Sequence, residues 1–211
     1  MVDDLVFYTN PMSRGRIVRW MLEEVGRPYR TEVLQFGTTM KAPEYLAINP
    51  MGKVPAIRHG DTVVTEGGAI CAYLADAFPE AELAPAPGDR ARGPYFRWMF
   101  YAAGPVEAAV SNRALGFEVP VERKGMIGYG SYEDVMNALE YAVTRSEFIA
   151  GERFTAADVY FGSQVGWGLQ FGTIEKRPAF EAYWNRISDR PAAKRAREID
   201  DALLMNQQPA P

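Results

Sequence analysis

The spacing of apolar positions changes character along the first eighty residues. LVFYT at 5–9 is a short apolar run closed by Asn10-Pro11, the composition of a strand that ends in a turn. Ile17, Val18, Trp20, Met21, Leu22 and Val25 then recur at intervals of three and four, which predicts an amphipathic helix. Gly26 followed by Pro28 supplies its stop. Tyr29 to Leu34 reads as a second strand, so residues 5–34 form a βαβ unit with a right-handed crossover. The connection over 35–52 holds one short helix, APEYLAIN at 42–49. VPAIRH (54–59) and TVVT (62–65), joined through Gly60-Asp61, read as a β-hairpin. A third helix spans about 68–78, with Ile70, Tyr73, Leu74 and Phe78 as its buried face. This order predicts a small mixed α/β sheet with helices on both faces.

Beyond it the pattern shifts. The stretch 79–93 is rich in proline and glycine and reads as a linker. No strand pattern follows it. Helical periodicity covers about 90–115, 131–146, 155–171, 178–189 and 191–204. Two of these helices open on capping boxes, Ser131-x-x-Asp134 and Thr155-x-x-Asp158, the second with Phe154 and Val159 spaced as a hydrophobic staple. The expected organisation is an α/β domain over 1–80, a linker over 81–92 and an all-α domain over 93–211. The closing QQPAP reads as disordered.

Composition narrows the chemistry. A net charge of -4 disfavours general binding to nucleic acid or to an anionic membrane. One cysteine, Cys71, excludes an internal disulfide framework, and its mid-helix position reads as a buried, inert thiol. One histidine, His59, leaves little for a His/Cys zinc site and is assigned no chemistry, so no metal site is expected. The longest uncharged run, 159–174, has four glycines in 16 residues and is not a membrane span. The acidic opening Met1-Val2-Asp3-Asp4 lacks signal-peptide character, and a cytoplasmic protein is expected.

Four motifs then stand in order along the chain: YTNPMSRGR (8–16), NPMGKVPAI (49–57), TEGGAICAYL (65–74) and FIAGERFTAADVYFG (148–162). Together they resemble the cytosolic glutathione S-transferase family, over essentially the whole chain, in a bacterial, serine-type pattern. The resemblance implies a thioredoxin-like N-terminal domain and an all-α C-terminal domain. It also implies glutathione as co-substrate, no metal or electron-carrying cofactor, a small apolar electrophile as second substrate, and a homodimer.

The reaction implied needs a thiolate. A cysteine-type thiol has a pKa of about 8.5, so only about 3% is ionised at pH 7. A hydroxyl donor at a helix N-terminus lowers that pKa. Ser13, in Pro11-x-Ser13-x-x-Arg16, matches the family's serine position; read from its residues alone, it is also a helix cap. Tyr8, Thr9 and Asn10 are the alternative donors, and Arg14 and Arg16 raise the local positive potential. The resemblance further implies a cis Val54-Pro55 bond, with the Val54 backbone pairing to the cysteinyl part of the tripeptide. Lys53 and Lys41 are then candidates for ligand carboxylates, and Glu66 for the γ-glutamyl group. Gly67 departs from the family, which usually has Ser or Thr there; the amide remains but one hydroxyl is missing. Tyr101 and Phe117 are candidates for the second-substrate pocket.

The function expected is attack of the glutathione thiolate on an electrophile, a detoxification chemistry. Two alternatives carry the same motifs: a glutathione-dependent disulfide reductase or peroxidase, and a non-catalytic binding module, which Gly67 favours.

Overall fold

The computed structural model describes residues 5–207; the acidic opening and all but the first residue of the closing QQPAP lie outside them. Two compact units emerge, one comprising residues up to Leu83 together with those from Arg190 onward, the other Ala84–Asp189.

In the first unit, β1 (Leu5–Thr9), β2 (Arg30–Val33), β3 (Ala56–His59) and β4 (Thr62–Thr65) form one sheet in the order β2-β1-β3-β4. β1 runs parallel to β2 and antiparallel to β3, and β4 completes the hairpin. The mixed sheet expected from the sequence is present. Helix α1 (Gly15–Val25) buries Ile17, Val18, Trp20, Met21, Leu22 and Val25, the whole apolar stripe. It ends as its glycine predicts: Gly26 is left-handed at φ 69°, and its N–H donates to the Leu22 carbonyl at 3.0 Å.

Two short elements are trimmed relative to the sequence reading. Helix α2 is only Pro43–Leu46, and β3 begins at Ala56 because Val54-Pro55, cis as expected, occupies the approach to it. Helix α3 (Gly67–Ala77) buries Ile70, Cys71, Leu74 and Ala75. Its inner stripe therefore passes through Cys71 and Ala75, while Tyr73 and Phe78 stay half-buried. Burial drives the Cys71 thiol well above its ordinary pKa, so it is inert at neutral pH.

The second unit is helical throughout its named elements: α4 (Arg92–Tyr101), α5 (Glu107–Ala114), α6 (Tyr132–Arg145), α7 (Ala156–Phe171) and α8 (Pro178–Ser188). The single helix expected over 90–115 is interrupted by a wider π turn over Ala102–Val106 containing Pro105. Proline has no N–H to give and its ring crowds the preceding turn, and the wider turn accommodates both. The core gathers Trp98 and Phe161, whose rings meet edge to face at 6.2 Å, with Tyr183 beyond them at 5.9 Å from Phe161. Gly162 and Gly166 let α7 approach α8: a Cβ on either would come within 2.1 Å of Ile187 or 2.6 Å of Trp184.

The last helix departs from the expected domain boundary. Helix α9 (Pro191–Gln207) was expected to close the all-α domain, yet it packs on α1 and belongs to the first unit. Small residues Ala192, Ala193 and Ala196 are buried along it, and Asp200 reaches the buried Arg19 of α1 at 3.1 Å. Arg190 and Arg195 hold Glu24 and Glu23 of α1 from the same side. No helix among the described residues is long and apolar enough to cross a membrane.

Candidate active site

Register brings the first three motifs to one end of the sheet. Tyr8 of β1 stands opposite Ala56 of β3, and Ala56 opposite Thr65 of β4. The segments that leave or enter the sheet there are therefore Thr9–Ser13, Val54-Pro55 and Glu66-Gly67.

The first of these is a tightly bonded turn. Asn10 donates through Nδ2 to the Leu34 carbonyl at 2.7 Å, and its Oδ1 accepts from the Met12 N–H at 2.9 Å. It therefore fastens the end of β1 to the end of β2 and is buried in doing so. Ser13 Oγ donates to the Asn10 carbonyl at 2.7 Å and accepts the Gly15 N–H at 2.9 Å. That second bond satisfies the first open N–H group of α1, although the cap position itself falls on Arg14, one residue beyond the serine that the sequence offers as a cap. Thr9 is fully buried, and its Oγ1 has no hydrogen-bond partner among the described residues. It lies against Gly15, where a Cβ would fall 2.0 Å from that oxygen. Tyr8 is half-buried with its ring tilted against Tyr45, 5.7 Å between centroids.

The second segment is fixed from behind. The Lys53 carbonyl accepts from Tyr45 Oη at 2.6 Å and from Asn49 Nδ2 at 2.8 Å. Neither Tyr45 nor Asn49 was singled out in the sequence, although their burial at 3% and 4% makes them the buttress of the loop that presents Val54. Burial also pushes the Tyr45 hydroxyl up to about 12, which keeps it a proton donor. The Lys53 side chain is exposed. Lys41 folds over Gly52 and donates through Nζ to the Met51 carbonyl at 3.0 Å.

At the third segment Glu66 is exposed and stands at the N-cap position of α3 with a positive φ of 67° and ψ of 120°. A non-glycine residue held there costs about 1–3 kcal/mol. Its carbonyl accepts the Ile70 N–H at 2.9 Å, so the helix begins immediately and its first amides precede the intrahelical ladder.

Tyr101 and Phe117 belong to the helical unit. Tyr101 meets Trp98 edge to face at 5.4 Å, and partial burial raises its pKa. Phe117 lies beyond the end of α5, is 55% exposed, and donates its N–H to the Asn112 carbonyl. Among the described residues no three His, Cys, Asp or Glu side chains gather as metal ligands.

A buried charged pair between α1 and α9 is absent from the sequence expectations. Arg19 sits inside the apolar stripe of α1, giving Nε to Asp200 and Nη1 to Tyr29 and Thr31. Its signal was present: an arginine among five buried apolar neighbours needs an acidic partner. The partner lies 181 residues away, out of reach of any local pattern.

These features define a class, a thioredoxin-like domain with a mixed sheet joined to a helical domain. The chain matches the glutathione S-transferase N-terminal domain over residues 12–77 and the glutathione S-transferase C-terminal domain over 131–191. It is 30% identical over 162 residues to the glutathione S-transferase GstA of Escherichia coli O157:H7, covering 76% of this chain and 77% of that one. A glutathione transferase structure from Methylococcus capsulatus superposes with a TM-score of 0.78 at 26% identity, covering 94% and 99% of the two chains. A sphingomonad glutathione S-transferase complexed with glutathione gives 0.76 at 26% identity, covering 93% and 98%. The chain belongs to the glutathione S-transferase family, and its enzyme class is that of the glutathione transferases.

Proposed function

We propose that this chain binds glutathione at the end of the sheet where Ser13, Val54-Pro55 and Glu66-Gly67 converge, and activates its thiol there. The convergence of those three segments through the Tyr8–Ala56–Thr65 register is the observation that carries the reading. The Val54 backbone pairs with the cysteinyl part of the tripeptide, and Glu66 with the Gly67 amide at the start of α3 receives the γ-glutamyl group. Lys53 and Lys41 meet carboxylates, Lys41 after releasing the Met51 carbonyl. Ser13 Oγ donates to the sulfur. The thiolate then attacks an electrophilic carbon, forming a C–S bond, while the electrophile expels its leaving group or takes up a proton. The protein works as a soluble cytoplasmic homodimer, and Tyr101 and Phe117 are the side chains to vary when acceptors are profiled.

The sphingomonad relative complexed with glutathione supports the ligand. Steady-state kinetics of Ser13→Ala test the assignment. A fall in kcat of about tenfold or more, with the glutathione KM within about twofold, is expected for a group that acts on the sulfur rather than on binding. An unchanged kcat transfers the role to Tyr8, Thr9 or Asn10.

A further inference from the structure

The turn that carries Ser13 is also held from outside, by the last helix of the chain. Arg16, on the first turn of α1, donates through Nε to the Pro11 carbonyl at 2.6 Å and through Nη2 to Asp201 on α9 at 2.7 Å. One turn further along α1, Arg19 gives its Nε to Asp200. Adjacent acids on α9 thus hold two arginines three residues apart, a spacing that puts both on one face of α1. The two pairs differ in surroundings. Arg19 and Asp200 are buried, whereas the Arg16 and Asp201 side chains are 25% and 54% exposed.

An ion pair as open as the outer one contributes little to stability. Its consequence is geometric. A guanidinium is a rigid plane, so a carboxylate bound at Nη2 sets the direction in which the Nε–H points. Here that direction is the Pro11 carbonyl, two residues before Ser13. We infer that Asp201, acting through Arg16, is a positioning residue for the hydroxyl that activates the thiol, and that α9 is thereby part of the catalytic apparatus. The inference rests on Ser13 as the sulfur donor.

The experiment uses the full-length protein with bound glutathione. The pH midpoint of the thiolate ultraviolet band and the steady-state constants are measured for the parent, Asp201→Ala, Arg16→Lys and Ser13→Ala. Asp201→Ala removes the acceptor at Nη2 and is expected to raise the midpoint by about half a pH unit and lower kcat about threefold near neutral pH, with the glutathione KM within about twofold. Its thermal midpoint stays within about 2 °C of the parent, because an exposed pair adds little to stability. Arg16→Lys behaves like Asp201→Ala, since an ammonium keeps the charge but not the planar fork. A parental midpoint and kcat in Asp201→Ala, while Ser13→Ala loses both, overturns the positioning role and leaves the serine reading intact. A parental midpoint in Arg16→Lys overturns it also, because charge alone then suffices. If Ser13→Ala itself keeps the parental midpoint, the serine reading fails and the positioning role fails with it.

Discussion

A serine hydroxyl has one proton to give, and Ser13 gives it to the Asn10 carbonyl at 2.7 Å. Donation to a thiolate requires that this proton turn away. The exchange is favourable because a hydrogen bond to an anion is about twice as strong as one to a neutral carbonyl. The carbonyl is not orphaned, since the Ser13 N–H still reaches it at 3.0 Å. The Gly15 N–H remains on Ser13 Oγ throughout and adds to its acidity. Two glycines frame this chemistry. Gly15→Ala drives a methyl into Thr9 Oγ1, 2.0 Å from its Cβ position, beneath the same turn. We expect a loss of about 1–3 kcal/mol, read as a lower urea midpoint, despite the better helix propensity of alanine. Gly67 is a different case, for it is the first residue of α3 and does not occupy the left-handed region. Gly67→Ser supplies the hydroxyl that the family usually carries. A hydrogen bond to a charged acceptor contributes about 1.5–3 kcal/mol, so the glutathione dissociation constant by calorimetry should fall about tenfold or more.

At the scale of single elements, the cap of α7 concentrates the second unit's polar chemistry. Asp158 is fully buried and accepts from the Ile149 N–H, the Thr155 N–H and hydroxyl, and Tyr183 Oη. Burial outweighs these four donors and pushes its carboxyl up to about 6. The folded protein therefore holds this proton more tightly than the unfolded chain, whose aspartate titrates at about 3.9. By linkage, this group's contribution to stability is greatest below about pH 4 and is lost as pH rises through about 6, a swing of about 3 kcal/mol. Asp158→Asn removes that swing and sets an amide N–H₂ against the Thr155 N–H. We expect it to cost about 2–4 kcal/mol at pH 7, with the gap to the parent widening as pH falls toward 4.5 in urea titrations.

The elements were legible in unequal measure. The stripe of α1, its Gly26 stop and the Thr155-x-x-Asp158 box are local patterns, and local patterns survive into the structure. The break at Pro105 had its signal in the proline itself, but the flanking residues keep helical spacing and outweigh it, and the π turn absorbs the proline without ending the rod. On α3 the burial expected for Ile70, Leu74 and Cys71 is present, but large residues draw the sequence stripe toward Tyr73 and Phe78, whereas the small Ala75 fits closer to the core. At the site, the three segments were each visible as motifs. The buttress made by Tyr45 and Asn49 was not, since it exists only once the loop closes on the Lys53 carbonyl.

For the whole molecule, the informative departure is the path of the chain. It leaves the first unit after Leu83 and re-enters it at Arg190, so the unit that carries the proposed site is built from both ends of the sequence. Helix α9 and Arg190 just before it are tied to α1 through Arg16, Arg19, Glu23 and Glu24, pairs separated by 166 to 185 residues. Such ties leave no periodicity to read, only charges on otherwise apolar or small-residue faces. The fold and the site segments thus converge on one claim, that this sheet end ionises the glutathione thiol. The most direct test is to titrate the thiolate ultraviolet band of glutathione bound to the purified protein. The account predicts a midpoint about two pH units below the free thiol, which corresponds to about 2.7 kcal/mol of preference for the anion and about three-quarters ionisation at pH 7. Saturable binding with the free-thiol midpoint, or no binding at all, would contradict it and leave the fold in a non-catalytic role.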